Sequence, residues 1–156
     1  MELLLWVLES EIDEFHREGT KIRLIGDRSK FGERIQQLMA AAEEKTKSNT
    51  KGTACILLSY GGRAEITEAT RNMIIEGLSP DKIDEAAIAS HLWTAGIPDP
   101  DLIIRTGGEE RLSNFLTWQS AYSELYFSKT LWPDFTKEEF ESILSEYGKR
   151  ERRFGK

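Results

Sequence analysis

"DLIIRTGGEERLSNF", Asp101 to Phe115, decides how this chain is read. Leu102-Ile103-Ile104 is a short apolar run that predicts a buried strand. It ends on Arg105-Thr106-Gly107-Gly108-Glu109-Glu110-Arg111, and a helix is predicted to open at Ser113 and run to Tyr122. A simple connection needs a turn, but not this much charge. Gly107-Gly108 can adopt backbone angles closed to other residues and so turn successive N–H groups toward an anion. Arg105 and Arg111 can each fork onto phosphate oxygens. Ser113 is a natural N-cap, and a helix opening there offers free N–H groups and a positive dipole end. The set suits a phosphate or diphosphate. Glu109 and Glu124 do not bind phosphate directly, but a hard cation such as Mg²⁺ can bridge carboxylate and phosphate. For any single charged residue a solvated loop with one Arg–Glu pair is the better reading; the whole constellation favours the anion site.

Outward from this stretch, strands and helices alternate. Leu4, Leu5, Leu8, Ile12 and Phe15 have helical spacing, so a helix is under way at residue 1 with no cap before it. "KIRLIGD" (Lys21 to Asp27) reads as a strand. Ser29 is placed to cap a helix carrying Phe31, Ile35, Leu38, Met39 and Ala42 on one face. "TACILLSY" (Thr53 to Tyr60) is a continuous apolar run, the mark of a strand covered on both faces. "GGR" then leads into a helix with Ile66, Ala69, Met73 and Ile74, stopped near Gly77. A shorter helix is predicted from Asp84 to Trp93, and "ELYF" (Glu124 to Phe127) is a further strand. The last helix has a capping box, Thr136 with Glu139, and is expected to bury Phe140, Ile143, Leu144 and Tyr147. The pattern predicts an α/β fold with a largely parallel central sheet flanked by helices. In such sheets ligands gather beyond the carboxyl ends of strands. Three ends are chemically furnished: Gly26-Asp27, Gly61-Gly62-Arg63 and Arg105 to Arg111. Sequence does not fix where Glu124 lies relative to them.

At 156 residues the chain fits one domain with a real core, and no linker or repeat divides it. The net charge of −6 argues against a general nucleic-acid binder. A single cysteine, Cys55, excludes an internal disulfide, and with only two histidines a zinc site is not expected. Cys55 lies in an apolar run and reads as an inert core thiol. The opening apolar segment, Leu3 to Leu8, is too short for a membrane span and lacks the flanks of a signal peptide, so a cytoplasmic location is expected. Arg63 reads as a turn-holding residue as readily as a ligand, and Asp27 as a strand-end turn residue. His16 and His91 read as helix-surface groups. Trp118, Tyr122, Tyr126 and Trp132 read as core. The tail "KRERRFGK" reads as a solvated helix end, although Arg150, Arg152 and Arg153 can also serve a second anionic surface.

"DLIIRTGGEERLSNFLTWQSAYSELYF", then "LWPDF" and the ending "RERRFG", together with "IGD" and "YGGR" in order, resemble the carboxyl-terminal half of the cis-prenyltransferases. Undecaprenyl diphosphate synthases are the members it most resembles, and the resemblance spans essentially the whole chain. It implies elongation of an allylic diphosphate, such as farnesyl diphosphate, by isopentenyl diphosphate, with Mg²⁺ as cofactor. It implies that Arg105, Arg111 and Ser113, with the backbone around Leu112, hold isopentenyl diphosphate, and that Glu124 supports the metal. Arg153 and Gly155 match an Arg-any-Gly element that reaches toward a partner subunit's diphosphate site. A homodimer is implied, as is an apolar tunnel, for which Thr53 to Leu58 is a candidate wall. Peripheral association with a membrane through the lipid product follows from the same resemblance.

The departures are specific. The family's Asp-Gly-Asn diphosphate loop, whose aspartate is the principal Mg²⁺ ligand, has no counterpart: "DGN" is absent from the sequence. The expectation is therefore a single cis-prenyltransferase-like domain, 1–156, lacking its amino-terminal strands and by itself inactive. Ser59 stands where many relatives have Asn, and Glu110 where many have His or Gln. The alternative is a noncatalytic diphosphate-binding subunit of a two-chain enzyme; a general phosphate-binding module is the remaining reading.

Overall fold

The computed structural model describes residues 2–150 and groups the chain into two compact units, Met1–Ala95 and Gly96–Lys156. In the first unit, two helices, α1 (Glu2–Ser10) and α2 (Ile12–Glu18), stand where one continuous helix is predicted; the break falls at Glu11. α2 ends on Gly19, whose left-handed φ of 78° lets its N–H reach back to the carbonyls of Phe15 and His16. Strand β1 (Thr20–Ile25) follows and pairs in parallel with β2 (Gly52–Leu57), Ile22 opposite Ala54 and Leu24 opposite Ile56. Between them runs α3 (Glu33–Thr46).

Ser29 does not cap α3. Gly32 holds that position, while Ser29 lies in a short 3-10 turn whose own cap is Asp27. Phe31 therefore precedes α3 rather than riding on it, although it still packs against the core. That core joins Leu8, Ile12, Ile22, Leu24, Ile35, Met39 and Ala42, with Ala54, Ile56 and Leu58 packed against it. The outer edge of β1 is closed by α3 itself. The Thr46 hydroxyl accepts from the Ile22 N–H at 3.0 Å and Glu43 accepts from the Leu24 N–H at 2.8 Å. Arg28 completes the seal, donating to both Glu43 and the Leu24 carbonyl at 2.8 Å. An edge so occupied cannot template another strand.

β2 differs from expectation: Ala54 to Leu57 are half-buried, not covered on both faces. Cys55 among them is half-buried, and burial raises its thiol pKa, in keeping with an inert side chain. Helix α4 (Gly62–Ile75) buries Ala69 and Met73, but Ile74 and Ile75 lie on its exposed side, so the predicted face is displaced there. A short helix, α5 (Glu85–His91), is capped by Asp84, whose carboxylate accepts from the Ala87 N–H at 2.7 Å.

The second unit is built on β3 (Leu102–Arg105) and β4 (Glu124–Phe127), again parallel, with Leu102 opposite Glu124 and Arg105 opposite Phe127. Helix α6 (Lys137–Lys149) begins as the capping box predicts, Thr136 Oγ1 accepting from the Glu139 N–H at 3.2 Å. The Glu139 carboxylate does not return to the cap. It accepts from the buried Ser128 hydroxyl at 2.5 Å and so ties α6 to the end of β4. Of the α6 side chains expected in the core, Ile143 is buried, Tyr147 is half-buried, and Phe140 and Leu144 are exposed. Tyr122 and Trp132 are exposed too, against expectation, at 90% and 75%. Parallel strands alternating with helices are the α/β class the sequence predicts.

Candidate functional site

The predicted helix over Ser113 to Tyr122 is not formed; the segment is a succession of turns. Ser113, Asn114 and Leu116 all take left-handed φ values, 50°, 67° and 45°. An N-cap residue has extended angles, so Ser113 caps nothing and no helix dipole points at this loop. Left-handed non-glycine residues cost about 1–3 kcal/mol each and concentrate at functional sites. Among the described residues the only other one is Ser59, immediately before "YGGR".

The glycine pair is also used differently. Gly107 and Gly108 do have left-handed φ, 92° and 78°, as the turn requires. Their N–H groups, however, donate to the carbonyls of Thr130 and Ser128, each at 2.8 Å. Ser128 N–H in turn donates to the Arg105 carbonyl at 2.8 Å. The glycines clamp the loop to the segment after β4 instead of cradling an anion.

What remains for an anion is the side-chain set, of which the structure joins Arg105 to Ser113 and to the backbone of Arg111. The Arg105 guanidinium donates to the Ser113 hydroxyl at 2.9 Å and to the Arg111 carbonyl. Arg111 itself forms an ion pair with Glu109, both side chains at least half-exposed. Beside them a cavity of about 390 Å³ is lined by Ile103, Arg105, Thr106, Leu112, Ser113 and Phe115. Arg105, Leu112 and Ser113 thus share one hollow, with Arg111 at its loop. A guanidinium carries five donors, so Arg105 keeps spare ones while bracing the loop.

Glu124 lies elsewhere. The register puts it at the start of β4, opposite Leu102 and three residues from the Arg105 end, a separation of about 10 Å at the rise of a strand. Its carboxylate pairs with Arg150 at 2.9 Å, and Arg150 also pairs with Glu146 at 2.8 Å. Glu146 first and Glu124 second raise the Arg150 pKa above its already high ordinary value. Arg153 and Gly155 lie outside the described residues. Among the described residues no three His, Cys, Asp or Glu side chains converge. This donor set does not by itself fit a resident Mg²⁺, because the two carboxylates of interest are paired with arginines and one stands at the far end of the strand pair.

The first unit holds a second hollow that sequence reasoning valued less. A cavity of about 820 Å³ lies beyond the carboxyl ends of β1 and β2, lined by Asp27, Arg28, Arg63, Thr67, Arg71 and Trp93 among others. Its charges are largely committed. Arg28 pairs with Glu43, Arg71 with Glu68, and Asp27 accepts from Ser29, which holds the Asp27 pKa below the usual carboxylate value. Behind it sits Glu65, fully buried and passed over in the sequence. It accepts from Tyr60 Oη at 2.5 Å, Thr94 N at 3.0 Å and Thr94 Oγ1 at 2.9 Å. Those bonds knot the "YGGR" turn to the end of α5, where Trp93 packs edge-on to Tyr60. A glutamate on the first turn of a helix gives no sign in sequence that it will be buried.

The comparisons agree with this architecture. The model of the family described as putative undecaprenyl diphosphate synthase matches residues 1–155, and the chain belongs to that family. Among its curated relatives, the ditrans,polycis-undecaprenyl-diphosphate synthase of Escherichia coli (strain K12) is 45% identical over 99% of this chain and 63% of that protein. An isoprenyl transferase of Rhizobium meliloti (strain 1021) is 50% identical over 99% of this chain and 64% of that protein. The chain therefore spans somewhat under two thirds of the length of these relatives. The crystal structure of lavandulyl diphosphate synthase from Lavandula x intermedia, in complex with dimethylallyl diphosphate, superposes with a TM-score of 0.93 at 36% identity, covering 99% of this chain and 69% of that one.

Proposed function

We propose that the protein serves cis-prenyl chain elongation, in which isopentenyl diphosphate is joined to an allylic diphosphate such as farnesyl diphosphate to give a long polyprenyl diphosphate, undecaprenyl diphosphate being the nearest example. The observation that carries this reading is the contact of the Arg105 guanidinium with the Ser113 hydroxyl and the Arg111 carbonyl, on one strained loop beside a cavity, in a chain of this family.

In this reading Arg105 and Arg111 bind the diphosphate of isopentenyl diphosphate through charge-assisted bonds, and Ser113 and the Leu112 backbone set its orientation. Holding that substrate in a fixed attitude makes its attack on the allylic carbon effectively unimolecular. The carbon–oxygen bond of the allylic ester breaks, a carbon–carbon bond forms, and a proton leaves the condensed product. Mg²⁺ is the proposed cofactor of the whole protein; Glu124 would supply a carboxylate oxygen and the diphosphate its phosphate oxygens, the hard ligands such a cation takes. Arg153 and Gly155 are proposed to reach the diphosphate site of a partner subunit in a homodimer. A cytoplasmic protein that touches membranes only through its lipid product completes the proposal. Among the described residues no helix is long and apolar enough to cross a membrane.

A second reading is a noncatalytic diphosphate-binding subunit of a two-chain enzyme, in which another chain brings the aspartate of the Asp-Gly-Asn loop that this sequence lacks. Calorimetry with isopentenyl diphosphate tests the site common to both. Arg105→Ala and Arg111→Ala are each expected to weaken binding by about 1.5–3 kcal/mol; unchanged affinity in both variants sinks the site. A condensation assay with farnesyl diphosphate and Mg²⁺ separates the readings, with little or no product expected from this chain alone.

A further inference from the structure

We infer that Glu109 is an internal counter-anion of the Arg105 loop, holding the Arg111 guanidinium outside the cavity until a diphosphate displaces it. Glu109 is then a positioning residue that acts through Arg111. This rests on the diphosphate reading above and adds to it what an entering anion must replace. Arg105, Leu112 and Ser113 line the cavity beside the loop, and Arg111 is not among its lining residues. The Arg111 guanidinium is paired instead with the Glu109 carboxylate. A carboxylate and a phosphate both offer a guanidinium two oxygens for its planar fork. Glu109 therefore occupies donors of Arg111 that a diphosphate would use.

The backbone is held on both sides of this pair, while the pair itself can exchange. Before it, the Gly108 N–H donates to the Ser128 carbonyl at 2.8 Å, so Glu109 starts from a fixed point. After it, the Arg111 carbonyl accepts from Arg105, and the Phe115 N–H donates to the Leu112 carbonyl at 3.0 Å. The Arg111 and Glu109 side chains are 63% and 50% exposed, so the two can part by side-chain rotation alone. Arg105 and Arg111 are like charges on one short loop, and Glu109 offsets their repulsion. An exposed pair of this kind is weak, which suits a contact meant to be displaced; breaking it costs an entering ligand at most about fivefold in affinity. A small anion that meets Arg105 and Ser113 alone gains nothing from that exchange. A diphosphate carries enough oxygens for both arginines.

Calorimetry on the full chain with inorganic pyrophosphate, first without metal, tests this. Glu109→Gln should strengthen binding by about two- to fivefold. Glu110→Gln removes the same charge one residue away, outside the ion pair, and at physiological salt should change affinity by less than about twofold. The gain from Glu109→Gln should vanish in an Arg111→Ala background, where no guanidinium is left to release; a general charge effect would persist there. Inorganic phosphate should gain nothing from Glu109→Gln. Absence of the pyrophosphate gain, or an equal gain from Glu110→Gln, in the Arg111→Ala background or with phosphate, overturns the role of Glu109. The diphosphate site itself still stands in that case, provided Arg105→Ala weakens pyrophosphate binding. Weaker binding by Glu109→Gln once Mg²⁺ is added would make Glu109 a metal ligand and overturn the inference as well. Failure of the wild type to bind pyrophosphate overturns the diphosphate reading and this inference together.

Discussion

The two strand-end loops, "YGGR" in the first unit and "RTGGEERLSNF" in the second, carry similar residues and are built for different ends. The first is locked. Glu65 is saturated by Tyr60 and Thr94, and the cavity arginines 28 and 71 are paired with acids. Among the described residues, the unit behind it holds most of the buried apolar side chains, with Ile103 and Ile143 contributed by the second unit. The second loop is open. Its arginines are partly exposed, its backbone is strained at three consecutive-to-near positions, and aromatic rings beside it face solvent. Packing holds the first unit, whereas the second spends conformational strain to present guanidinium and hydroxyl groups. Such strain persists only where surrounding structure over-determines it, here through the Gly107 and Gly108 bonds to Thr130 and Ser128.

The sharpest way to break this contrast is to make the same substitution against the first loop, at Gly26 on the neighbouring strand end, and within the second loop. A Cβ on Gly26, at φ 128°, meets the Leu58 carbonyl oxygen at 2.0 Å; a Cβ on Gly107, at φ 92°, meets nothing within 4 Å. Gly26→Ala should cost about 4 kcal/mol or more in denaturant unfolding, as only a severe clash does, and Gly107→Ala about 1–2 kcal/mol from backbone strain alone. Equal costs would mean that the first loop is not the tighter one. Next in size, Glu65→Gln puts an amide NH₂ among three donors and should destabilise by about 2–4 kcal/mol. Arg105→Ala, by contrast, should cost only about 1 kcal/mol of stability, the loss of its bonds to the loop, while weakening diphosphate binding about tenfold or more.

A smaller effect concerns pH. His91 Nδ1 faces the Ala87 carbonyl at 2.7 Å and Nε2 faces Glu76 at 2.9 Å, so both ring nitrogens meet acceptors. The Glu76 bond first, and the Ala87 carbonyl after it, raise the imidazole pKa. A raised folded pKa adds stability that is complete below the unfolded value of about 6.5 and is lost as pH rises through the folded value. Unfolding midpoints of Glu76→Gln should lose this dependence, and a slope unaltered by the change would remove the pair from the account. The exposed Arg71–Glu68 pair should matter least, within about 0.5 kcal/mol of neutral in a double-mutant cycle.

Where the sequence was legible, a local rule sufficed. Short apolar runs placed the four strands of the described residues, and Thr136 with Glu139 placed the start of α6. Where it misled, the deciding partner was distant or the conformation atypical for the residue. Ser113 is a good cap by type, but nothing in a serine announces φ of 50°. Gly107-Gly108 signalled an unusual turn correctly, yet not that the freed N–H groups would go to carbonyls about twenty residues on. Trp132 and Tyr122 looked like core because aromatic residues usually are; their exposure is a property of the assembled surface. Arg105, Leu112 and Ser113 line one cavity because they are near neighbours in sequence, whereas the place of Glu124 depended on a strand register that no local pattern reveals.

Backbone amide shifts of the isotopically labelled chain, followed during titration with isopentenyl diphosphate, test the central claim most directly. The account predicts that the largest perturbations fall on Thr106 to Leu116, with the amides of Gly26 to Ser29 and Gly62 to Glu65 little changed. Perturbations confined to those first-unit segments, with Arg105 to Leu116 silent, would contradict it.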